Sequence, residues 1–274
     1  MNNDMSDRDP IESPPKRMDH APDAPTSPEI YVEISEEGIE EMGRPTVSLF
    51  WSSIAAGLLV SFSLIVKASL YAETSGLTFG HAIDSLGYTM GFILVIFCRL
   101  QLFTENTITP VLPTIADPSP KNLWNTGRVW GISLIGNFVG TATMAALFAA
   151  TPLVPQSTFE AMITISDKVA ELSFVESLVK GLPSGLLIAA LVWMRPSSGN
   201  GFLGIVFLVT YVIALGDFTH VIVGSCEIFL LAIEGERSIA PMLLNNVLPT
   251  LIGNIIGGTA LFALLAWAQV REEL

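Results

Sequence analysis

Charge is scarce in this chain and mostly of one sign. Only 14% of its 274 residues are charged, whereas a soluble domain usually carries about a quarter, so an ordinary cytosolic enzyme is not expected. Lys and Arg number 13 against 26 Asp and Glu, a formal net charge of -13, and no basic stripe is available to neutralise phosphates. Nucleic-acid binding is excluded on that ground. Cysteine is rarer still: Cys98 and Cys226 both sit inside apolar runs, which suits small core residues and excludes a disulfide framework. What the chain has in abundance is hydrophobic residues, at 50%.

The acidity is concentrated at the start. Residues 1 to 44 hold 12 acidic and four basic side chains together with six prolines. Little apolar periodicity is visible there, so the segment is expected to be disordered and to form an acidic cytoplasmic tail. It has no basic start and apolar centre, and so does not read as a signal peptide.

From Pro45 onward the sequence is a series of long apolar blocks, at 47 to 71, 86 to 112, 124 to 151, 173 to 194, 202 to 234 and 241 to 269. Each is near the ~20 residues that a helix needs to cross ~30 Å of hydrocarbon. Six spans are expected, making residues 45 to 270 a transmembrane transporter domain and 271 to 274 a short C-terminus. Two blocks are misfits. The fifth carries Gly216, Asp217, Phe218, Thr219 and His220 near its middle, and the second meets Thr104, Glu105, Asn106, Thr107 and Thr109 before Pro110. As one straight helix the fifth would be about 48 Å long, so both are expected to break. Non-helical backbone at membrane depth must be buried in protein or line a cavity.

Orientation follows the cations. Arg8, Lys16, Arg17, Arg44, Lys121, Arg195 and Arg271 collect on one side and Lys168 and Arg237 on the other, which places both termini in the cytoplasm. Ile135-Gly136-Asn137-Phe138-Val139-Gly140 in the third span recurs as Ile252-Gly253-Asn254-Ile255-Ile256-Gly257 in the sixth, 117 residues later. The same offset carries Thr104 to Val221, beside His220. A duplication of three spans inverts the second half, and in inverted-repeat transporters the discontinuous helices meet at the transport site. By itself the repeated pattern would fit close helix packing equally well.

His220 is the sharpest chemical candidate. A mid-membrane histidine is costly without a partner, and its unperturbed pKa of about 6.5 suits proton exchange near neutrality. Each restarted half-helix offers free N–H groups and a positive dipole end to an anion. Glu105 and Asp217 either cap those half-helices or face the subunit interior, and the sequence leaves both open. Arg99 and Glu227 lie deeper and are expected to be paired, as structural charges. Lys67 and Lys180 are expected to snorkel to the outer interface; Lys168 in the 152 to 172 connection could raise the local anion concentration, although an isolated loop lysine is ordinarily a solvated charge.

Leu102-Phe103-Thr104 at the first break, Asp217-Phe218-Thr219-His220 at the second and the two Gly-Asn-x-x-Gly elements together resemble the formate/nitrite transporter (FNT) family, in particular its YfdC-like branch, over residues 45 to 270. The resemblance implies an all-α, aquaporin-like fold of two inverted three-helix repeats with broken second and fifth helices. It also implies a homopentamer in the lipid of the bacterial inner membrane and permeation of small monovalent anions (formate, nitrite, hydrosulfide) or their protonated acids. Carried over residue by residue, Thr104 and His220 meet at the pore centre, Leu102 and Phe103 form an apolar constriction, Phe218 and Thr219 adjoin the histidine, and Lys168 serves the outer vestibule. Two departures stand out: Gly181-Leu182-Pro183-Ser184-Gly185 replaces the usual Gly-Ile-Leu-Cys-Asn, and Asp217-Phe218-Thr219-His220 replaces Gly-Phe-Glu-His.

The expectation is a passive or proton-coupled conduit for small monovalent anions, with His220 as the proton exchanger in the coupled case. A water or small-alcohol channel of the same architecture is the alternative. A membrane enzyme using His220 with Asp217 or Glu227 lacks a nucleophile motif, a metal-ligand cluster and a cofactor fingerprint. No enzyme activity, metal or cofactor is therefore expected.

Overall fold

Apolar blocks of this length fold as helices because lipid offers their backbone no hydrogen-bond partners. A computed structural model describes residues 24–274, and every regular element among them is helical. In chain order these are α1 (Ser27–Gly43), α2 (Thr46–Val60), α3 (Phe62–Thr74), α4 (Gly80–Phe97), α5 (Val111–Ala116), α6 (Pro120–Ala150), α7 (Gln156–Ala170), α8 (Phe174–Ser198), α9 (Phe202–Leu215), α10 (Val221–Ile233) and α11 (Ile239–Val270). Two π-helical stretches, Leu243–Val247 and Ile256–Ala263, lie within α11. Five segments are long and apolar enough to cross a membrane: Thr46–Thr74, Gly80–Phe97, Pro120–Ala150, Phe174–Leu215 and Ile239–Val270. The shorter Val221–Ile233 is apolar too.

The expected tail is corrected in part. Residues 27–43 form a helix, while residues 1–23 lie outside the described residues. Ile30, Ile34, Gly38 and Met42 recur every four residues and are buried, giving α1 one apolar face despite its acidity. Tyr31 donates its hydroxyl to the Leu112 carbonyl at 3.2 Å, and Glu37 pairs with Arg195. Glu41 accepts hydrogen bonds from Gln101 Nε2 at 2.8 Å and Thr109 Oγ1 at 2.9 Å. Burial raises its carboxyl above the ordinary carboxylate range. The 152 to 172 connection is also more ordered than a loop, since it contains α7. Cys226 is buried as expected, whereas Cys98 is exposed at the C-cap of α4.

The repeated Gly-Asn-x-x-Gly elements are where α6 meets α2 and α11 meets α8. A methyl group on Gly140 would overlap the Ile54 carbonyl oxygen, and one on Gly257 that of Leu182. Backbones come this close only where no Cβ intervenes. Glu176, within the capping box that opens α8, accepts from the Ser173 N–H at 2.8 Å.

Candidate functional site

Both interrupted helices stop in the same way. The N–H of Leu100 bonds to Val95 O and that of Arg99 to Ile96 O, each at 3.1 Å; the N–H of Phe218 bonds to Ile213 O at 3.0 Å and that of Asp217 to Ala214 O at 3.1 Å. This double bond pattern around a left-handed residue satisfies the last carbonyls of a helix. The left-handed residues are Arg99 (φ 53°) and Asp217 (φ 50°), where glycine is usual and another residue costs about 1–2 kcal/mol. Arg99 and Asp217 are therefore turn residues. Arg99 is exposed and forms no ion pair among the described residues, contrary to the expected buried partner. Asp217 is exposed, 3.6 Å from His81 Nε2, and caps nothing.

The asparagines of the repeat hold the two broken segments. Asn137 Oδ1 accepts from the Phe103 N–H at 2.9 Å, while its Nδ2 donates to Ser53 O at 2.8 Å and Gln101 O at 2.9 Å. Asn254 Oδ1 accepts from the Val221 N–H at 2.9 Å, and its Nδ2 donates to Gly181 O at 2.9 Å and Thr219 O at 3.0 Å. Phe103 and Val221 are thus equivalent positions. It follows that His220 corresponds to Leu102, and that Val221 is the counterpart of Phe103 and not of Thr104, to which the 117-residue offset carried it. Sequence reasoning took these asparagines for packing or duplication marks and missed their role. A buried amide beside each polar interruption was the available signal.

His220 is the N-cap of α10. Its Nδ1 accepts from the Val223 N–H at 3.4 Å, and its Nε2 lies 2.7 Å from Thr104 Oγ1. Because Nδ1 accepts, the ring proton belongs on Nε2 and is donated to the threonine. Phe92 covers the ring edge-on, with centroids 4.9 Å apart. The imidazole is 2% exposed and Leu102 and Phe103 are 1% exposed, so the two breaks meet in a dry, tightly packed layer. Thr219 is tied down by its hydroxyl, which donates to Ser177 O at 2.9 Å, and by its N–H, which donates to Lys180 O at 3.2 Å.

A cavity of about 500 Å³ reaches this layer from the end of the first span opposite α1. His220, Phe218 and Thr219 line its inner end, whereas Leu102, Phe103 and Thr104 lie beyond it. Lys67, Lys168 and Lys180 all face this chamber, so Lys67 and Lys180 line an internal cavity where the outer interface was expected. Lys168 Nζ lies 4.8 Å from the centre of the Tyr71 ring, close enough for a cation–π contact. Glu227 also lines the chamber and is 6% exposed. Glu105 opens a short 3₁₀ turn and its Oε1 is buried without a hydrogen-bond partner, so it caps no half-helix. Such a chamber can concentrate a small anion beside lysines and deliver it to a helix start whose polar contacts are one imidazole and one hydroxyl.

The sequence pattern of the formate/nitrite transporter family matches residues 28–268. The chain is 40% identical over 245 residues to the inner membrane protein YfdC of Escherichia coli, covering 89% of this chain and 79% of that one. Its fold is similar to that of a pentameric formate channel with formate bound, with a TM-score of 0.71 and 19% identity, covering 82% of this chain and 98% of the other. An FNT family ion channel is similar with a TM-score of 0.74 and 16% identity, covering 89% and 98%.

Proposed function

Because the chain belongs to the formate/nitrite transporter family, we propose that it is a transmembrane conduit for small monovalent anions or their protonated acids. In this reading residues 45 to 270 form six spans in two inverted repeats, with α4–α5 and α9–α10 as the broken members. Five copies assemble in the bacterial inner membrane, each with its own pore and with α1 on the cytoplasmic side. The observation that carries the reading is the 2.7 Å contact between Thr104 and His220. It joins the two breaks at the closed end of a lysine-lined chamber.

The chain's own residues supply each step. Lys168, with Lys180 and Lys67, raises the anion concentration in the chamber. At the inner end the anion meets the start of α10, whose positive dipole end attracts it without a fixed charge. When Nδ1 of His220 takes up a proton it can no longer accept from Val223, and that N–H is released to the anion. Nε2–H continues to polarise the Thr104 hydroxyl. A bare charge between Leu102 and Phe103 would be expensive, so the permeant crosses that layer as the neutral acid, carrying the proton.

Proteoliposome fluxes of formate, nitrite, hydrosulfide, acetate and lactate at two pH values test this reading. Formate, nitrite or hydrosulfide is expected to move faster than lactate, and faster at the lower pH. A protein that carries none of them, yet accelerates water or glycerol equilibration after an osmotic step, is a neutral-solute channel instead.

A further inference from the structure

The chamber also contains two carboxylates, Asp84 and Glu227, that the conduit described above does not use. Lys67 from α3 has its Nζ 4.0 Å from Asp84 Oδ1 of α4, and the Lys67 side chain is 14% exposed. Lys67 Nζ also lies 5.9 Å from the centre of the Tyr88 ring. His81 Nδ1 is 3.7 Å from the same Asp84 oxygen, which accepts no hydrogen bond. Glu227 of α10 shares the cavity, with no hydrogen bond or ion pair among the described residues. Two buried carboxylates therefore face one buried ammonium. With one proton the trio is neutral, and without it the trio carries an uncompensated negative charge in a setting where charge is costly.

Position on the helix links this cluster to the central histidine. Glu227 follows His220 by seven residues, two turns along α10, on the same face and about 10 Å away. Val223 and Gly224 line the chamber between them. The cavity's volume of about 500 Å³ is ample for a short file of waters, each of which takes about 30 Å³. His220 cannot hold a spare proton at rest, because Nδ1 is occupied as the cap of α10 and Nε2 is committed to Thr104. A proton delivered from the chamber side has to wait elsewhere.

We propose that Glu227, sharing the chamber with Lys67 and Asp84, is the group that supplies protons to His220 and the permeant from the chamber side. The proposal rests on the conduit reading. In the forward step the Glu227 carboxylic acid gives its proton through water to Nδ1 of His220, or directly to the permeant anion. The carboxylate left behind is held by Lys67 and is reprotonated by hydronium from the open end. The charged and titratable groups around this exchange are Lys67 and Tyr71 from α3, Asp84, His81 and Tyr88 from α4, Lys168 from α7, Lys180 from α8, Asp217 from the second break, and Cys226 and His220 beside or on α10 itself.

Formate influx into proteoliposomes, measured from about pH 5 to about pH 8, tests the proposal. Glu227→Gln is expected to slow influx at the acid end by about a hundredfold, the scale of a lost acid–base group, and to flatten the pH profile. Glu227→Asp should restore the slope. Asp84→Asn should keep a sloped profile displaced to lower pH, because the remaining carboxylate then faces Lys67 alone; this variant carries the test if Glu227→Gln does not fold. A wild-type slope in Glu227→Gln would overturn the proposal, and so would a uniform loss that Glu227→Asp shares. Either result leaves the conduit intact if the wild type carries formate. A wild type that carries neither formate, nitrite nor hydrosulfide removes both.

Discussion

Asn254→Leu is expected to abolish anion flux and to lower the thermal stability of the solubilised protein, with Asn137→Leu behaving alike. Each asparagine makes three buried hydrogen bonds to the backbone of a broken helix or its neighbour. Bonds of this kind average about 0.6 kcal/mol within membranes and reach about 1.7. Three together imply a loss of about 2–5 kcal/mol, since the freed N–H and carbonyl groups have no alternative partner in a dry layer. The larger effect should be on flux, because Val221 opens the half-helix that His220 caps. Circular dichroism and size exclusion would separate a misplaced loop from an unfolded protein. Wild-type formate flux in Asn254→Leu would show that the amide clamp is dispensable.

His220→Phe should reduce formate flux by about 10- to 100-fold at every pH and leave the remainder without pH dependence. The ring supplies one contact to the Thr104 hydroxyl and one to the Val223 N–H. A hydrogen bond involving a charged group is worth about 1.5–3 kcal/mol, which is the expected barrier increase for the permeant. His220→Asn separates the two roles. Asparagine is among the best N-cap residues but has no atom at the Nε2 position, so the cap should be kept, the contact to Thr104 lost, and part of the flux should return. It does not titrate, so the pH dependence should not. A wild-type pH profile in either variant would remove proton exchange at this residue.

Particular residues show how far the sequence could be read. Breaks at 104 and 220 were legible because polar residues and prolines inside an apolar block leave the backbone few alternatives. The Thr104–His220 meeting was legible only through family resemblance, since no local pattern joins residues 116 apart. Helix α1 was obscured by its acidity and its flanking prolines, although Ile30, Ile34 and Met42 kept a four-residue period that marks a buried face. Arg99 looked deep because it follows a hydrophobic run. Its depth depends on the turn that ends α4, and the left-handed conformation there turns the chain. Asn137 and Asn254 were visible as a repeat, but their hydrogen bonds reach back 34 to 36 residues to the Phe103 and Gln101 backbone in one half and 33 to 35 in the other. Lys67 and Lys180 read as lysines that snorkel to the outer interface because helix-end lysines usually do so; the chamber gives them a polar alternative inside the protein.

The most direct test of the account is to plug the chamber. With exposed Cys98 replaced by serine, Phe218→Cys puts a single reactive thiol at the chamber's inner end, beside His220. A membrane-impermeant methanethiosulfonate applied to right-side-out vesicles should then stop formate flux from the chamber side, and formate present during labelling should slow the block. Labelling that proceeds to completion while formate flux continues at its starting rate would mean that the anion travels by another route.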